Sequence, residues 1–569
     1  MRLRRPALTD ANQMAGLAIL VGLVTGLGAV AFQNLIELLT SAADWLGNDA
    51  LAGWGRWGVV VAPVLGALVA GPLVYRYALE AKGHGVPEVI AAVATENGRI
   101  RPRVAAVKTV ASAFTIGSGG SAGREGPIVQ IGATLGSVIA FRFPIVHRNR
   151  HMLVAAGAAA GIAAVFNAPL AGVFFSLEVI LRSWSNRGFS TVVIAAVVSS
   201  AVWRMFEGGR SALSVPAYGL EHVVELLFYL VLGAICGVLA AGFVKFLYWA
   251  EDRFDELPVL PAELRPALGA LGVGLIGAWS TKVFRGGLEV INEAVLGELA
   301  MRTMLALLLA KIVATTLTLG SGGSGGIFSP SLFMGAMAGG SFGELLERWL
   351  PSATAPPGAY AVVGMAAVFG AAAQAPISAI VIVFELTNDL RIIVPLMLAC
   401  VVSVFVYTSL TPDSIYMVKL RRKGISLEQD KVRQVLEGVP LRSAVEANYA
   451  EVRDNATIAA THEVASATER DPIFVITADR VLRGVVRSSA LVEAVRRDRA
   501  RDRPVLSLLE VDMPVGEPAD SLEDGFRKLA MSDFELMGVV DGDHRLAGVV
   551  SFETITTAYN QAFNSQDYD

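Results

Sequence analysis

Arg124 and Glu125 stand side by side in the stretch Gly117–Pro127, which reads GSGGSAGREGP and lies between two apolar runs, Val104–Ile116 and Ile128–Ala140. That placement puts a glycine turn and a carboxylate at membrane depth. Bare backbone is tolerated there only where it is buried in protein or lines a polar cavity. A carboxylate at that depth is costly and functional by default. Two more turns have the same make-up, Gly83-His84-Gly85-Val86-Pro87 and Gly326-Ile327-Phe328-Ser329-Pro330. Each precedes an apolar or helical segment, and proline suits a first helical turn, whose amide has no intrahelical partner. The free amides and positive dipole end of such helices attract an anion. Three converging ends would hold a monovalent anion without a full counter-charge, and so weakly enough to let it leave. The pattern predicts an anion site with Glu125 as its gate. A nucleotide-binding reading of these turns is weak, because no G-x-x-x-x-G-K-[ST] occurs. Cation sites would need clustered carboxylates or rings of carbonyls. No nucleophile–base pair or metal-ligand spacing points to an enzyme.

The elements that must carry these turns are written in the hydropathy. The chain has 569 residues, 54% of them hydrophobic and 17% charged, with a mean hydropathy of +0.54. Apolar segments fill roughly residues 14–410, near 14–40, 57–78, 104–116, 128–141, 152–164, 168–182, 190–206 and 222–249, then 266–283, 301–319, 331–345, 358–372, 376–387 and 391–410. Several fall short of the roughly 20 residues needed to cross a bilayer, which predicts half-helices meeting near the midplane. Ser183–Arg187 and Ala250–Arg265 read as aqueous. A net charge of −4 gives no case for nucleic acid. Cys236 and Cys400 lie in apolar runs and read as buried thiols. Met1-Arg-Leu-Arg-Arg predicts an N-terminus held on the inner side.

The membrane part is duplicated. Lys108–Ala133 (KTVASAFTIGSGGSAGREGPIVQIGA) and Lys311–Ala336 (KIVATTLTLGSGGSGGIFSPSLFMGA) run in register at an offset of 203 (311 − 108). Asn167-Ala-Pro leading to Glu178 matches Gln374-Ala-Pro leading to Glu385 at 207 (385 − 178). Two such halves, roughly 14–206 and 222–410, with the site at their interface, are a transporter and channel design. Beyond the basic Tyr416–Ile425 the pattern turns soluble. Strand pairs at Ile473–Ile476 with Gly484–Val486, and at Gly538–Asp541 with Leu546–Val550, are each followed by a helical run, Ala490–Arg497 and Phe552–Asn560. These give a second repeat over roughly 440–498 and 504–562.

Together, G-H-G-V-P, G-R-E-G-P and G-I-F-S-P, with Tyr416 near the end of the membrane part, closely resemble the CLC family of chloride channels and proton/chloride antiporters. The family's first turn is G-S-G-x-P, its second G-[KR]-E-G-P and its third G-x-F-x-P, and a pair of CBS domains often follows. The resemblance covers nearly the whole chain. It implies an all-α polytopic membrane domain over 1–425, with an inverted repeat and broken half-helices, followed by a small α/β CBS pair within 440–562. It also implies a homodimer in the cell membrane, one pore per subunit, with the CBS pair on the cytoplasmic side. The substrate ion would be chloride or a similar monovalent anion, with no cofactor required. Carried over residue by residue, Glu125 matches the gating glutamate, and Ile327 and Phe328 match the amide donors. Tyr416 matches the tyrosine whose hydroxyl faces the anion. The expected anion-binding set is His84, Gly85, Val86, Arg124, Glu125, Gly126, Gly326, Ile327, Phe328 and Tyr416. A bland alternative pairs Glu125 with Arg124 in a salt bridge, and another makes Tyr416 an interfacial belt residue. Glu178 and Glu385 read as structural acceptors for backbone or cations.

The chain departs from the family's pattern at three places. His84 stands where the chloride-selective motif has serine. Its ring either donates to the anion or points away and leaves the Gly85 and Val86 amides to line the site. Val179 occupies the position where many antiporters hold an inner proton-transfer glutamate, which tilts the expectation toward passive, channel-like conduction, with proton-coupled antiport as the alternative. In the CBS pair the ribose-binding aspartate of G-x-x-[ST]-x-x-D is missing from both Gly484-Val-Val-Arg-Ser-Ser-Ala and Gly548-Val-Val-Ser-Phe-Glu-Thr. A structural or dimerising role for the pair therefore stands beside nucleotide binding.

Overall fold

The computed structural model describes residues 10–566, apart from 146, 185, 210–212, 214, 217, 219–222, 259, 352–353, 426–435, 437, 469–470 and 497–500. Two compact units result, Met1–Ile425 and Ser426–Asp569. The first is helical: α1 (Asp10–Trp45), α2 (Val61–Tyr77), α3 (Val86–Thr95), α4 (Pro102–Gly117), α5 (Glu125–Arg142), α6 (His147–Phe166), α7 (Pro169–Phe175), α8 (Asn186–Glu207) and α9 (Glu225–Asp255). It continues with α10 (Arg265–Trp279), α11 (Leu288–Val295), α12 (Met301–Gly320), α13 (Phe328–Trp349), α14 (Pro357–Ala373), α15 (Pro376–Thr387), α16 (Ile393–Leu410) and α17 (Ile415–Arg422). Among the described residues seven helical segments are long and apolar enough to cross a membrane. Interspersed short helices such as α3, α7, α15 and α17 end part-way, as the broken apolar runs predict.

Helix α9 runs into the polar stretch Ala250–Arg265. Helix α9 continues to Asp255, because its polar last turn is ion-paired: Asp252 with Arg422 at 2.5 Å, and Asp255 with Lys82 at 3.0 Å. Cys236 and Cys400 are buried free thiols.

The two halves hold themselves together by exchanging equivalent contacts. Helices α5 and α6 cross at Gly132 and Gly157, and a Cβ on either would strike the other's carbonyl. Helices α13 and α14 repeat this at Gly335 and Gly364. Small residues let helix backbones approach closely where lipid offers no hydrophobic drive to associate. The Glu178 carboxylate accepts from the amides of Ile377 (3.2 Å) and Ser378 (2.7 Å) at the start of α15. Glu385 accepts from Leu170 (3.1 Å) and Ala171 (2.6 Å) at the start of α7. Each carboxylate satisfies first-turn amides that have no partner in their own helix. Both glutamates thus act as backbone acceptors rather than partners of a cation.

The second unit contains two three-stranded sheets, β1-β2-β3 and β4-β5-β6. In the first, β1 (Glu451–Arg453) lies parallel to β2 (Ile473–Ile476), which pairs antiparallel with β3 (Leu482–Val486). In the second, β4 (Val515–Gly516), β5 (Leu536–Val540) and β6 (Leu546–Ser551) repeat the arrangement. The central strands are buried along their whole length. Helices Ser488–Arg496 and Phe552–Gln566 follow the hairpins, as the periodicity predicts. The short strands β1 and β4 and the helices Ile458–Thr468 and Leu522–Ala530 were not expected from the pattern.

Candidate functional site

Backbone hydrogen bonds bring all three glycine turns to one place. Gly83 receives and returns bonds with the second GSGGS copy, through Gly83 N to Gly323 O at 3.1 Å and Gly325 N to Gly83 O at 3.2 Å. Gly123 and Gly326, equivalent in the two copies, form a reciprocal antiparallel pair at 2.8 and 2.6 Å. So tight a junction leaves no room for side chains. Gly85 is left-handed (φ +83°), and a Cβ there would lie 2.8 Å from the Gln130 side-chain oxygen. A Cβ on Gly126 would strike the His84 carbonyl. Around the junction the copies also exchange hydroxyl contacts, Ser121 with Thr315 at 3.1 Å and Ser324 with Ser112 at 2.9 Å.

Helices α3, α5 and α13 start from these turns, with Gly85, Arg124 and Ile327 immediately before them. Among the described residues the amides of Gly85, Val86, Glu125, Gly126, Ile327 and Phe328 have no acceptor within the chain. The expectation for Gly326 is corrected here: its amide is spent on the Gly123 carbonyl and is not free for a ligand.

Glu125 is 1% exposed. Although it begins α5, its carboxylate reaches across to the start of α13, where it accepts from the Ser329 hydroxyl and, at 3.4 Å, from the Ser329 amide. The carboxylate therefore occupies one of the positive helix ends itself. Arg124 does not pair with it. The guanidinium donates to Gln33 and to the Val165 carbonyl (3.3 Å) and lies over the Trp203 ring. Glu125, Ser329 and Arg124 line a cavity of about 600 Å³ together with Asp44, Lys282, Arg285 and Glu293.

Phe328 also belongs to an aromatic group. The Phe328 ring packs against Phe166, Phe175 and Phe369, and Phe175 meets Tyr416 edge-on at 6.4 Å. Tyr416, 1% exposed, stands in the first turn of α17, whose start is capped by Ser414. The His84 ring is 5.8 Å from that of Tyr416 and 3% exposed. Val179 is buried in the π-helical turn Ser176–Leu181.

Two residues escape a sequence reading. Ser329 lies in the third turn, one residue past Phe328, but no pattern marks its hydroxyl as the partner of Glu125. Tyr248, whose hydroxyl lies 3.2 Å from His84 Nε2, comes from 164 residues away and gives no local signal.

Residues 66–408 match the family model described as voltage gated chloride channel. The chain belongs to the CLC family. It is 33% identical over 430 residues, 74% of its length and 91% of the relative's, to the H(+)/Cl(-) exchange transporter ClcA of Vibrio parahaemolyticus. It is 30% identical over 539 residues, 82% of its length and 67% of the relative's, to the chloride channel protein CLC-f of Arabidopsis thaliana. Among solved structures it resembles a slow cyanobacterial Cl−/H+ antiporter, with a TM-score of 0.68 and 26% identity, covering 72% of this chain and 98% of that one. A eukaryotic CLC transporter shares the fold over 95% of this chain and 98% of its own, with a TM-score of 0.61 and 21% identity. The all-helical membrane domain with an inverted repeat, followed by a small α/β unit, is the CLC transporter fold.

Proposed function

We propose that the chain exchanges chloride or a similar monovalent anion for protons across a lipid bilayer. One observation carries the mechanism: the Glu125 carboxylate sits on the start of α13, where an anion would otherwise be held. A carboxylate and an anion compete for one set of amides, so the anion passes when Glu125 leaves. A proton on Glu125 cancels the attraction that holds it and releases it, so proton and anion share one gate. The anion would lie against the free amides of Gly85, Val86, Gly126, Ile327 and Phe328 and the Tyr416 hydroxyl. Arg124 lends positive potential to the cavity without holding Glu125.

Val179 favours passive conduction. The exchange named for ClcA and for the cyanobacterial antiporter supports proton coupling, and we prefer it over the channel that Val179 alone suggests. We further propose that the chain works as a homodimer in the cell membrane with one pore per subunit. The second unit is a cytoplasmic CBS pair, and neither of its halves carries the ribose aspartate.

The test is flux in proteoliposomes under a chloride gradient, with a pH electrode in the bath. Coupled proton movement is expected in the wild type. Glu125→Gln should abolish it while leaving anion flux that has lost the pH dependence contributed by the gate. Strictly Nernstian chloride behaviour at every pH gradient would sink the exchanger, and unchanged pH dependence in Glu125→Gln would remove the gate.

A further inference from the structure

His84 lies outside the cavity that reaches Glu125 and carries a ring nitrogen with no partner. Its Nε2 is 3.2 Å from the Tyr248 oxygen. Tyr248 has a single O–H, and that proton is donated to the Ile415 carbonyl at 2.5 Å. The tyrosine oxygen can therefore only accept from His84, which fixes the ring proton on Nε2 and leaves Nδ1 as a bare lone pair. Nδ1 is buried and has no hydrogen-bond partner, in a ring that is 97% removed from solvent beside the free amides of Gly85 and Val86. An unpaired buried acceptor is costly, and a bare lone pair repels the anion that those amides attract. One proton resolves both: imidazolium has a donor on each nitrogen.

We propose that His84 is a proton-binding part of the anion site, so that an anion seated on the α3 amides is bound together with a proton on Nδ1. This rests on the anion site proposed above and adds a second titratable group to it. The proton comes from water, adds to the Nδ1 lone pair and leaves the same way, with no other bond changed. The groups facing the ring suit a charge that exists only with its anion. Lys108 on α4 donates to the Ala81 and Gly83 carbonyls at 3.0 and 2.6 Å and has no carboxylate within ion-pair distance among the described residues. Lys419 on α17 pairs with Glu251 of α9 at 3.7 Å, and Lys423 with Glu88 of α3 at 2.5 Å. Tyr416 and Tyr248 are the remaining titratable neighbours. With two of three lysines neutralised and Lys108 uncompensated, a lone imidazolium is opposed and an anion offsets it. Binding of proton and anion is then mutually strengthening, by linkage.

The test is calorimetric chloride binding to the full chain in lipid nanodiscs, in two buffers of different ionisation heat. It is run in Glu125→Gln so that the gate takes up no proton. The expected result is proton uptake with chloride and affinity rising up to about tenfold per unit fall in pH. Both should vanish in the double variant with His84→Ser. If His84→Ser does not fold, Tyr248→Phe and histidine-labelled nitrogen NMR of the wild type replace it. The chain has six histidines, and one should change from neutral to imidazolium on adding chloride, at a shifted pH in Tyr248→Phe. Chloride binding without proton uptake in Glu125→Gln, or equal uptake with and without His84, overturns the proposal alone. Absence of chloride binding and flux in the wild type overturns the anion site with it.

Discussion

The two membrane halves agree wherever they hold the protein together and differ wherever an ion would pass. Lys108 donates to the carbonyls of residues 81 and 83. Its counterpart Lys311 donates to Val283 (3.0 Å) and Arg285 (2.7 Å), and both lysines are 0% exposed. Glu178 and Glu385 staple each other's half-helices in the same way. Then the copies part. Glu125 corresponds to Phe328, and His84, at the lysine-anchored turn, corresponds to Gly286. Duplication supplied a frame that is stable only as a symmetric pair, and the chemistry was written into the few positions where symmetry is not needed.

If that division is right, symmetric substitutions should hurt symmetrically. Lys108→Met and Lys311→Met each strand two buried carbonyls, at about 1–3 kcal/mol apiece. Both variants should lose about 2–6 kcal/mol of stability, measured by unfolding in mixed micelles. A large loss in one and none in the other would break the comparison.

A smaller effect is expected at the staples. Glu178→Gln and Glu385→Gln each set an NH2 group against an amide, at about 1–3 kcal/mol. The loss should be greater for Glu178, which also accepts from the Ser378 hydroxyl at 2.6 Å. Chloride flux per folded molecule should be unchanged in both, since neither carboxylate reaches the glycine junction.

The smallest difference lies in the soluble unit, whose halves exchange contacts as the membrane halves do. Leu441 N donates to Asp520 O in one half and Val505 N to Ala456 O in the other. Only the second half has a carboxylate at that point. Asp520 accepts from Lys528 at 2.8 Å and from the Glu517 amide at 3.1 Å, and the Lys528 hydrogen bond holds its carboxyl below the usual range. A depressed carboxyl stabilises above its unfolded value of about 3.9 and loses that contribution as pH falls through the folded value. The pair is partly exposed, so Asp520→Asn should cost under about 1 kcal/mol at pH 7. The difference from wild type should close on acidification, as followed by thermal melts of the full chain.

Most of this frame was legible in the sequence because it is periodic or duplicated. The offset of 203 residues made Gly123 and Gly326 equivalent, and proline marked the starts of α7 and α15. Three features were not legible. Gly326 was expected to offer its amide, yet the reciprocal pair consumes it, since a repeat reveals equivalence and not which backbone groups meet. Arg124 sits next to Glu125 in sequence but turns to Gln33 and Val165, because adjacent residues at a helix start point to different faces. The extension of α9 to Asp255 depends on Lys82 and Arg422, partners that no local pattern announces.

The cavity lined by Glu125 has an electrical consequence. About 600 Å³ of space admits on the order of 20 waters at the liquid's volume per molecule, so an anion taking the proposed route would approach Glu125 with much of its hydration intact. Where such water joins the bath, it carries the bath potential inward as far as Glu125. At about 2.3 kcal/mol per charge per 100 mV, voltage dropped beyond Glu125 would then act on the ion where it sheds its water.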